Sequence, residues 1–201
     1  MSEFDSKARD WDLDQKHIDR SIAIAAAMEK SLDSRPGMKA LEYGAGTGLL
    51  SFQLRDRFAE IVLMDNSSEM IRVCKEKVKW FKTPHIKPLL FDLEHHDFDG
   101  TFDIVYSQMV MHHVKNPNLL LQKFHNLLIK GGQLVVADLY EEDGSFHGPD
   151  SDAHKGFNPD ALAAKLNESG FTNSQYSTCF HVKRPNGIEY PVFLMVSQKR
   201  T

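Results

Sequence analysis

The spacing of apolar residues changes period several times along the chain, and each change marks the boundary of an expected element. Phe4, Ala8 and Trp11 share a face at i, i+4 and i+7, and Ile18, Ile22, Ala25 and Ala26 continue at helical spacing, so the first thirty-odd residues predict helix. Asp33-Ser34-Arg35-Pro36-Gly37 breaks that pattern, and Met38 to Tyr43 follows as a first strand. Leu49, Leu50, Phe52 and Leu54 suit a short helix. The run Ile61-Val62-Leu63-Met64 is continuous rather than alternating and closes on Asp65, as a parallel strand covered on both faces would. Asn66 with Glu69 marks the next helix start, after which Met70, Val73, Cys74 and Val78 line one face and place Cys74 in the core.

Ile86 to Phe91 reads as a strand carrying Pro88, which suits a sheet edge because proline cannot donate to a ladder on both sides. Phe102 to Tyr106 predicts a fourth strand. Asn116-Pro117 caps a helix bearing Leu120, Phe124, Leu127 and Leu128 and ended by Gly131, and Gln133 to Asp138 gives a fifth strand. Asn158-Pro159 opens a helix through Leu162 and Leu166 to Gly170, and two last strands flank Arg184-Pro185-Asn186-Gly187 as an antiparallel hairpin. This alternation predicts an α/β fold: an open, mostly parallel sheet with helices on both faces and ligands at the carboxyl ends of its strands.

Composition narrows the classes without changing that picture. At 201 residues and 41% hydrophobic content the chain fits one α/β domain, with no internal repeat. A net charge of −4 without a basic block lacks the footprint of a nucleic-acid binder. Cys74 and Cys179 form no CxxC pair and suit a reducing compartment. The N-terminus is dense in charge and the longest early apolar run, Ile22 to Met28, is far short of a membrane span, so a soluble, cytoplasmic protein is expected.

The chemistry concentrates in Lys39 to Leu50, where a buried strand enters Gly44-Ala45-Gly46-Thr47-Gly48 and then a helix. Glycines at alternate positions permit positive φ and bring a ligand against bare main chain, the mark of a nucleotide-type cofactor site. A dinucleotide fingerprint wants a glycine where this chain has Leu49. Glu42 puts a carboxylate at the strand end, suited to a cationic ligand. Asp65, at the next strand end, can accept both ribose hydroxyls and would repel a 2′-phosphate. Together these ask for an adenosine without phosphates.

These residues resemble the class I S-adenosylmethionine-dependent methyltransferases of small-molecule type. Glu42 to Gly48 is similar to their first motif, and Asp65-Asn66-Ser67-Ser68-Glu69-Met70 to their acidic second motif with the helix after it. Phe91-Asp92-Leu93 is similar to the segment whose acid bonds the adenine amino group. Met111-His112-His113-Val114 resembles the element after strand four, and Gly131 to Val136 the fifth-strand segment. Asp92 taken alone, with Glu94 and Asp97, reads as a solvated acidic turn; its register after the other motifs favours the cofactor. The resemblance implies a Rossmann-like seven-stranded sheet with strand three at an edge and the seventh strand antiparallel between the fifth and sixth. It implies S-adenosylmethionine as cofactor and S-adenosylhomocysteine as product. The cofactor set it implies is Trp11, Glu42, Gly44, Ala45, Gly46, Gly48, Asp65, Asn66, Met70, Asp92, Leu93 and Ser107. One methyltransferase domain over residues 1–201 is expected, with an N-terminal helical cap (1–35), a cofactor-binding core (36–140), and a lid-like segment, helix and hairpin (141–201). Phe4 and Trp11 suit either core contacts of the cap or closure over the methionine end of the cofactor, as in many relatives.

For the acceptor, absences narrow the choice. Gln108-Met109-Val110-Met111 is unlike the Asp/Asn-Pro-Pro-aromatic segment of amino-methylating nucleic-acid enzymes, and neither cysteine has the Pro-Cys context of cytosine C5 methylation. Two scattered cysteines are too few for arsenite-type relatives. Ser107-Gln108 and Asp138-Leu139 depart from the magnesium ligands of catechol-type relatives. A small-molecule acceptor is expected, with neither nucleic acid nor membrane as partner. His112 and His113 follow strand four, and His147 and His154 lie in the segment Asp138 to Phe157. His113 is the first candidate for a general base and His147 the next, with packing on the cofactor or bonding to backbone as the competing reading. No HxH or HxxxH spacing occurs, so no metal is expected. The segment after strand five is acidic, through Glu141, Glu142, Asp143, Asp150 and Asp152, and reads as a lid over the acceptor or as a solvated connector. Two rival functions fit parts of the pattern. A non-catalytic S-adenosylmethionine-binding regulator shares the turn. A nicotinamide oxidoreductase shares the turn and Asp65 but is opposed by Leu49 and Asp92.

Overall fold

The computed structural model describes every residue except 1–3, Ser34, Pro36, Pro149, Asp150 and Asn186. Ser34 and Pro36 of the expected break, Asp150 of the acidic segment and Asn186 of the hairpin turn therefore lie outside the described residues. Seven strands, β1 (Lys39–Tyr43), β2 (Glu60–Asp65), β3 (Ile86–Leu90), β4 (Phe102–Gln108), β5 (Leu128–Leu139), β6 (Phe171–Lys183) and β7 (Glu189–Lys199), form one sheet in the order β3-β2-β1-β4-β5-β7-β6. The first five strands run parallel, and β7 lies antiparallel between β5 and β6. Pro88 sits in β3, which pairs with β2 alone among the described strands, the edge position its missing N–H requires.

The period-2 geometry of the strands sends alternate side chains into two cores. Ala40, Ile61, Leu63, Ile104, Tyr106, Val135 and Ala137 face one core. It also takes Ile24 and Met28 of α1 (Gln15–Ser31), Leu50 and Phe52 of α2 (Leu49–Gln53), and Cys74 of α3 (Ser68–Phe81). Their strand neighbours Leu41, Val62, Met64, Val105, Leu134 and Val136 face the other. That side is closed by Leu120 and Phe124 of α4 (Pro117–Leu127) and by Leu162 and Leu166 of α5 (Pro159–Glu168). Helices thus cover both faces, as expected.

Three boundaries differ from the sequence expectation. The cap is not continuous helix: Asp5–Lys7 and Trp11–Leu13 are 3-10 turns, and α1 starts only after Asp14, whose carboxylate accepts from Lys16 N. Acids at positions 5, 10, 12 and 14 compete for local backbone donors, which favours short turns and caps over a long helix. The residue capping α3 is Ser67, not Asn66: its hydroxyl accepts from Met70 N, and Asn66 is exposed beside it. Finally, Leu128 belongs to β5. It pairs with Phe102, and a shift in register before Ile104↔Gln133 absorbs Gly131 inside the strand instead of at a helix end.

Candidate active site

The carboxyl ends of β1, β2, β4 and β5 converge on one side of the sheet. β1 leads into the glycine turn, where Gly44, Gly46 and Gly48 hold φ of 65°, 53° and 77°. The three serve different ends. A Cβ on Gly44 would stand 2.5 Å from Val110 Cγ2, so this bare face packs against a side chain rather than awaiting a ligand. Gly46 is uncrowded by comparison, its nearest neighbours being Met70 Sδ and Trp11 Nε1 at an ordinary contact distance of 4.0 Å from the would-be Cβ. Ala45 N donates to Met64 O, which ties the turn to the end of β2.

Asp65 supports the same turn: Oδ2 accepts from Gly46 N at 2.7 Å and Oδ1 from Ser67 N at 2.8 Å. Burial raises its pKa and the backbone donors pull the other way. Glu42 lies wholly buried behind the turn, hydrogen-bonded by the Ser51 hydroxyl, which also meets Tyr106 OH. Desolvation pushes its pKa up to about 8. Its other oxygen, Oε1, is buried without a partner among the described residues, and so is Ser107 Oγ at the end of β4. Asp92, after β3, accepts from the amides of Glu94 and His95 and from His95 Nδ1 at 2.8 Å. Burial works against its charge, but the His95 bonds outweigh that and lower its pKa. Leu93 beside it is buried in the core.

The N-terminal turns fold over this region. Asp12 accepts from Thr47 Oγ1 and, at 2.9 Å, from Lys77 Nζ, while Asp5 accepts from Ser67 Oγ at 2.6 Å. Trp11 stacks on His17, with ring centroids 4.0 Å apart, and its Nε1 side lies over Gly46. Trp11 thus lies beside the glycine turn.

Beyond β4 the chain enters the second half of the site through Met109, which holds a φ of 55° and donates its amide to Ala137 O at 2.7 Å. Positive φ at a non-glycine residue is strained, and such strain clusters at functional sites. The short turn Met111–His113 follows. His112 is buried, with Nδ1 2.6 Å from Asp138 Oδ1 at the end of β5. Asp138 also accepts from His112 N and Leu139 N. His113 points outward, edge-on to Phe4 at 5.6 Å. The segment after β5 doubles back on itself: Glu141 N donates to Phe157 O, Glu142 N to Lys155 O and His154 N to His112 O. A Cβ on Gly156 would lie 2.2 Å from Tyr140 O, so only glycine permits that fold. It carries His147 to within 5.0 Å of both His112 and His113 between ring centroids. Burial, with the neighbouring imidazoles adding to it, lowers the pKa of His113 and of His147 to about 4. Both are neutral at physiological pH.

A cleft of about 780 Å³ lined by Lys30, Asp103, Lys130 and Gln198 opens at the opposite, amino end of the strands. Ligands of open α/β sheets bind at the carboxyl ends, and no cluster of perturbed side chains among the described residues accompanies this cleft, so it is not the candidate site.

The profile of the methyltransferase domain family matches residues 41–136. An uncharacterized methyltransferase of Schizosaccharomyces pombe is 31% identical over 158 residues, covering 70% of this chain and 56% of that protein. Over these residues the chain is similar to the S-adenosylmethionine-dependent methyltransferases. Phosphoethanolamine N-methyltransferase 2 of Caenorhabditis elegans is 28% identical over 154 residues, 71% of this chain and 34% of its own length. The chain thus spans about half or less of the length of these curated relatives. A chain in the solved complex between the Haloferax volcanii Trm112 methyltransferase activator and a methyltransferase superposes with a TM-score of 0.82 at 18% identity, over 100% of this chain and 99% of that one. That likeness is one of fold.

The residues present fit the family's cofactor. Gly46 would meet a Cβ only with ordinary contacts, Asp65 holds a carboxylate against the turn, and Glu42 Oε1 and Ser107 Oγ are buried oxygens lacking partners among the described residues. Sequence reasoning missed three groups. Asp138 joins His112 from a different strand, and the Thr47–Asp12–Lys77 network joins the cap to α3. Arg20 is buried near Asp138, its Nε without a partner among the described residues, and desolvation lowers its pKa to about 10. Only Arg20 left a trace in the sequence, as a cation inside the apolar face pattern of α1. The expectation of no metal rested on spacing along the chain; the fold brings His147 in from the far loop beside His112 and His113.

Proposed function

We propose that this chain transfers a methyl group from S-adenosylmethionine to a small-molecule acceptor, releasing S-adenosylhomocysteine. The observation that carries the reading is the convergence of two unlike half-sites at one end of the sheet: the glycine turn with Asp65, and the histidine cluster on β4, β5 and the doubled-back segment. Residues Trp11, Glu42, Gly44, Ala45, Gly46, Gly48, Asp65, Asn66, Met70, Asp92, Leu93 and Ser107 form the donor half in this reading. Residues 1–35 act as a cap, 36–140 as the cofactor core and 141–201 as the acceptor side. Bound S-adenosylmethionine supplies a methyl group already activated on a sulfonium. The protein's tasks are alignment, exclusion of water and disposal of the acceptor's proton. Trp11 and Phe4 cover the site. His113, neutral and outward-facing, takes the proton from a hydroxyl, thiol or amine.

A small acceptor is supported by relatives named for phosphoethanolamine and by (S)-coclaurine N-methyltransferase of Thalictrum flavum. The net charge of −4 gives no attraction to nucleic acid. No helix among the described residues is long and apolar enough to cross a membrane, and the two free thiols support a cytoplasmic setting. The test is a screen of small alcohols, thiols and amines that follows S-adenosylhomocysteine release. With an acceptor in hand, His113→Ala lowers kcat by ~10²-fold or more. Because the His113 pKa is about 4, the acid limb of the kcat/KM profile falls well below the usual imidazole range. An alanine variant with unchanged turnover and pH profile removes His113 from the mechanism, and binding of NADH in place of S-adenosylmethionine overturns the reading.

A further inference from the structure

The three imidazoles have a geometry that proton transfer alone does not require. The candidate ligand atoms of His112, His113 and His147 all lie within 4.8 Å of one another, and the ring centroids are 4.2, 5.0 and 5.0 Å apart. Imidazoles sharing one tetrahedral zinc at ~2.1 Å have ring centroids about 5 Å apart. Two of the three ring separations match that spacing, and the third pair, on adjacent residues, is closer.

Two further observations point the same way. Asp138, itself buried, accepts from Nδ1–H of His112, which fixes the tautomer and leaves the Nε2 lone pair free. A carboxylate behind a histidine is the usual outer support of a metal ligand. His147 Nε2 is buried and has no hydrogen-bond partner among the described residues, and a cation would satisfy its lone pair. The charges around the cluster are mixed. Asp138 and Glu142 favour a cation. Lys7 and Arg184 oppose one, but they lie over the rings of Phe4 and Phe146, and Arg20 lies near the Asp138 carboxylate.

We propose that His112, His113 and His147 form a three-histidine site for a divalent transition-metal ion of the zinc class, oriented by Asp138 and open at its fourth position toward the acceptor side. Three protein ligands with an open position is the arrangement of catalytic rather than structural zinc. The inference rests on the methyltransferase reading only for what occupies the fourth position, a hydroxyl, thiol or water whose proton the ion makes more acidic. In the ion-free protein that proton goes to His113.

The test uses the full chain without a polyhistidine tag, stripped with chelator and titrated with Co²⁺ as a spectroscopic probe and Zn²⁺ by calorimetry. The expected result is one ion per chain with the intense visible bands of tetrahedral Co²⁺. His147→Gln should weaken binding by ~10²-fold, and Asp138→Asn by ~10-fold, in line with outer-support losses elsewhere. Thermal unfolding of each variant, and the outward-facing His113→Gln as a second ligand change, separate lost ligation from lost folding. Sub-stoichiometric binding, octahedral bands, or affinity unchanged in both glutamine variants overturns the site. S-adenosylmethionine titrated into the same samples keeps the two readings apart: cofactor binding without Co²⁺ binding defeats only the metal site, and the converse defeats only the methyltransferase reading.

Discussion

Glu42 is the residue whose ionisation the fold opposes most plainly. Its carboxyl is wholly buried, with one oxygen hydrogen-bonded by Ser51 and the other without a partner among the described residues, and its pKa rises to about 8. In the unfolded chain the same group titrates near its ordinary value of 4.5. Between those two values the folded protein holds a proton that the unfolded chain has lost, so stability declines as pH rises through the window. Glu42→Gln should abolish that decline. Chemical denaturation at pH 5 and pH 8 should show the native protein losing up to ~4 kcal/mol more than the variant, and parallel losses would refute the burial argument. Residues such as Gly46 and Asp65 were legible in the sequence because a turn and the strand end beside it are local patterns. The His112–Asp138 pair was not, because its members sit on different segments and only the pairing of β4 with β5 brings them together. Arg20 was hidden for a related reason: helical periodicity places it, but not the carboxylates it meets.

At the scale of elements, the two N-terminal 3-10 turns are tied to the glycine turn and α3 by polar contacts, whereas α1 packs through its apolar face. Asp12 reaches both Thr47 in the glycine turn and Lys77 on α3, and Asp5 reaches the residue that caps α3. Asp12→Ala removes two charge-assisted bonds at a partly buried site, together worth roughly 1–2 kcal/mol. S-adenosylmethionine affinity should fall about tenfold, with faster amide exchange across residues 5–13 and little change in β1 or β2. Unchanged exchange would mean that Trp11 and Phe4 hold the segment on their own. The strands are legible in sequence because a brief, continuous apolar run between breakers is too short for a buried helix and too apolar for a surface loop. The cap reads as continuous helix because its apolar spacing is helical while its acids break the backbone pattern, and periodicity does not weigh the two.

For the whole molecule, the proposed donor half draws on short contiguous motifs such as Glu42 to Gly48 and Asp65 to Met70, while the proposed acceptor half is scattered single residues with no motif around them. A ligand bridging β1, β2 and β4 should stabilise the entire sheet. At ~100-fold over its dissociation constant, S-adenosylmethionine adds about 2.7 kcal/mol, a rise in Tm of ~5–10 °C for a chain of this size. NADH should leave Tm unmoved; a matching rise with NADH would count against the cofactor assignment. The position of β7 carries a consequence of another kind. It is the last strand in chain order yet lies inside the sheet, and among the described strands it is the sole partner of β6. On the ribosome, residues 171–183 therefore emerge with no strand to join, and the flank of β5 stays open until residues 189–199 leave the exit tunnel. The complete sheet thus forms only after residue 199 has emerged, and stalling between those two segments exposes an aggregation-prone sheet edge.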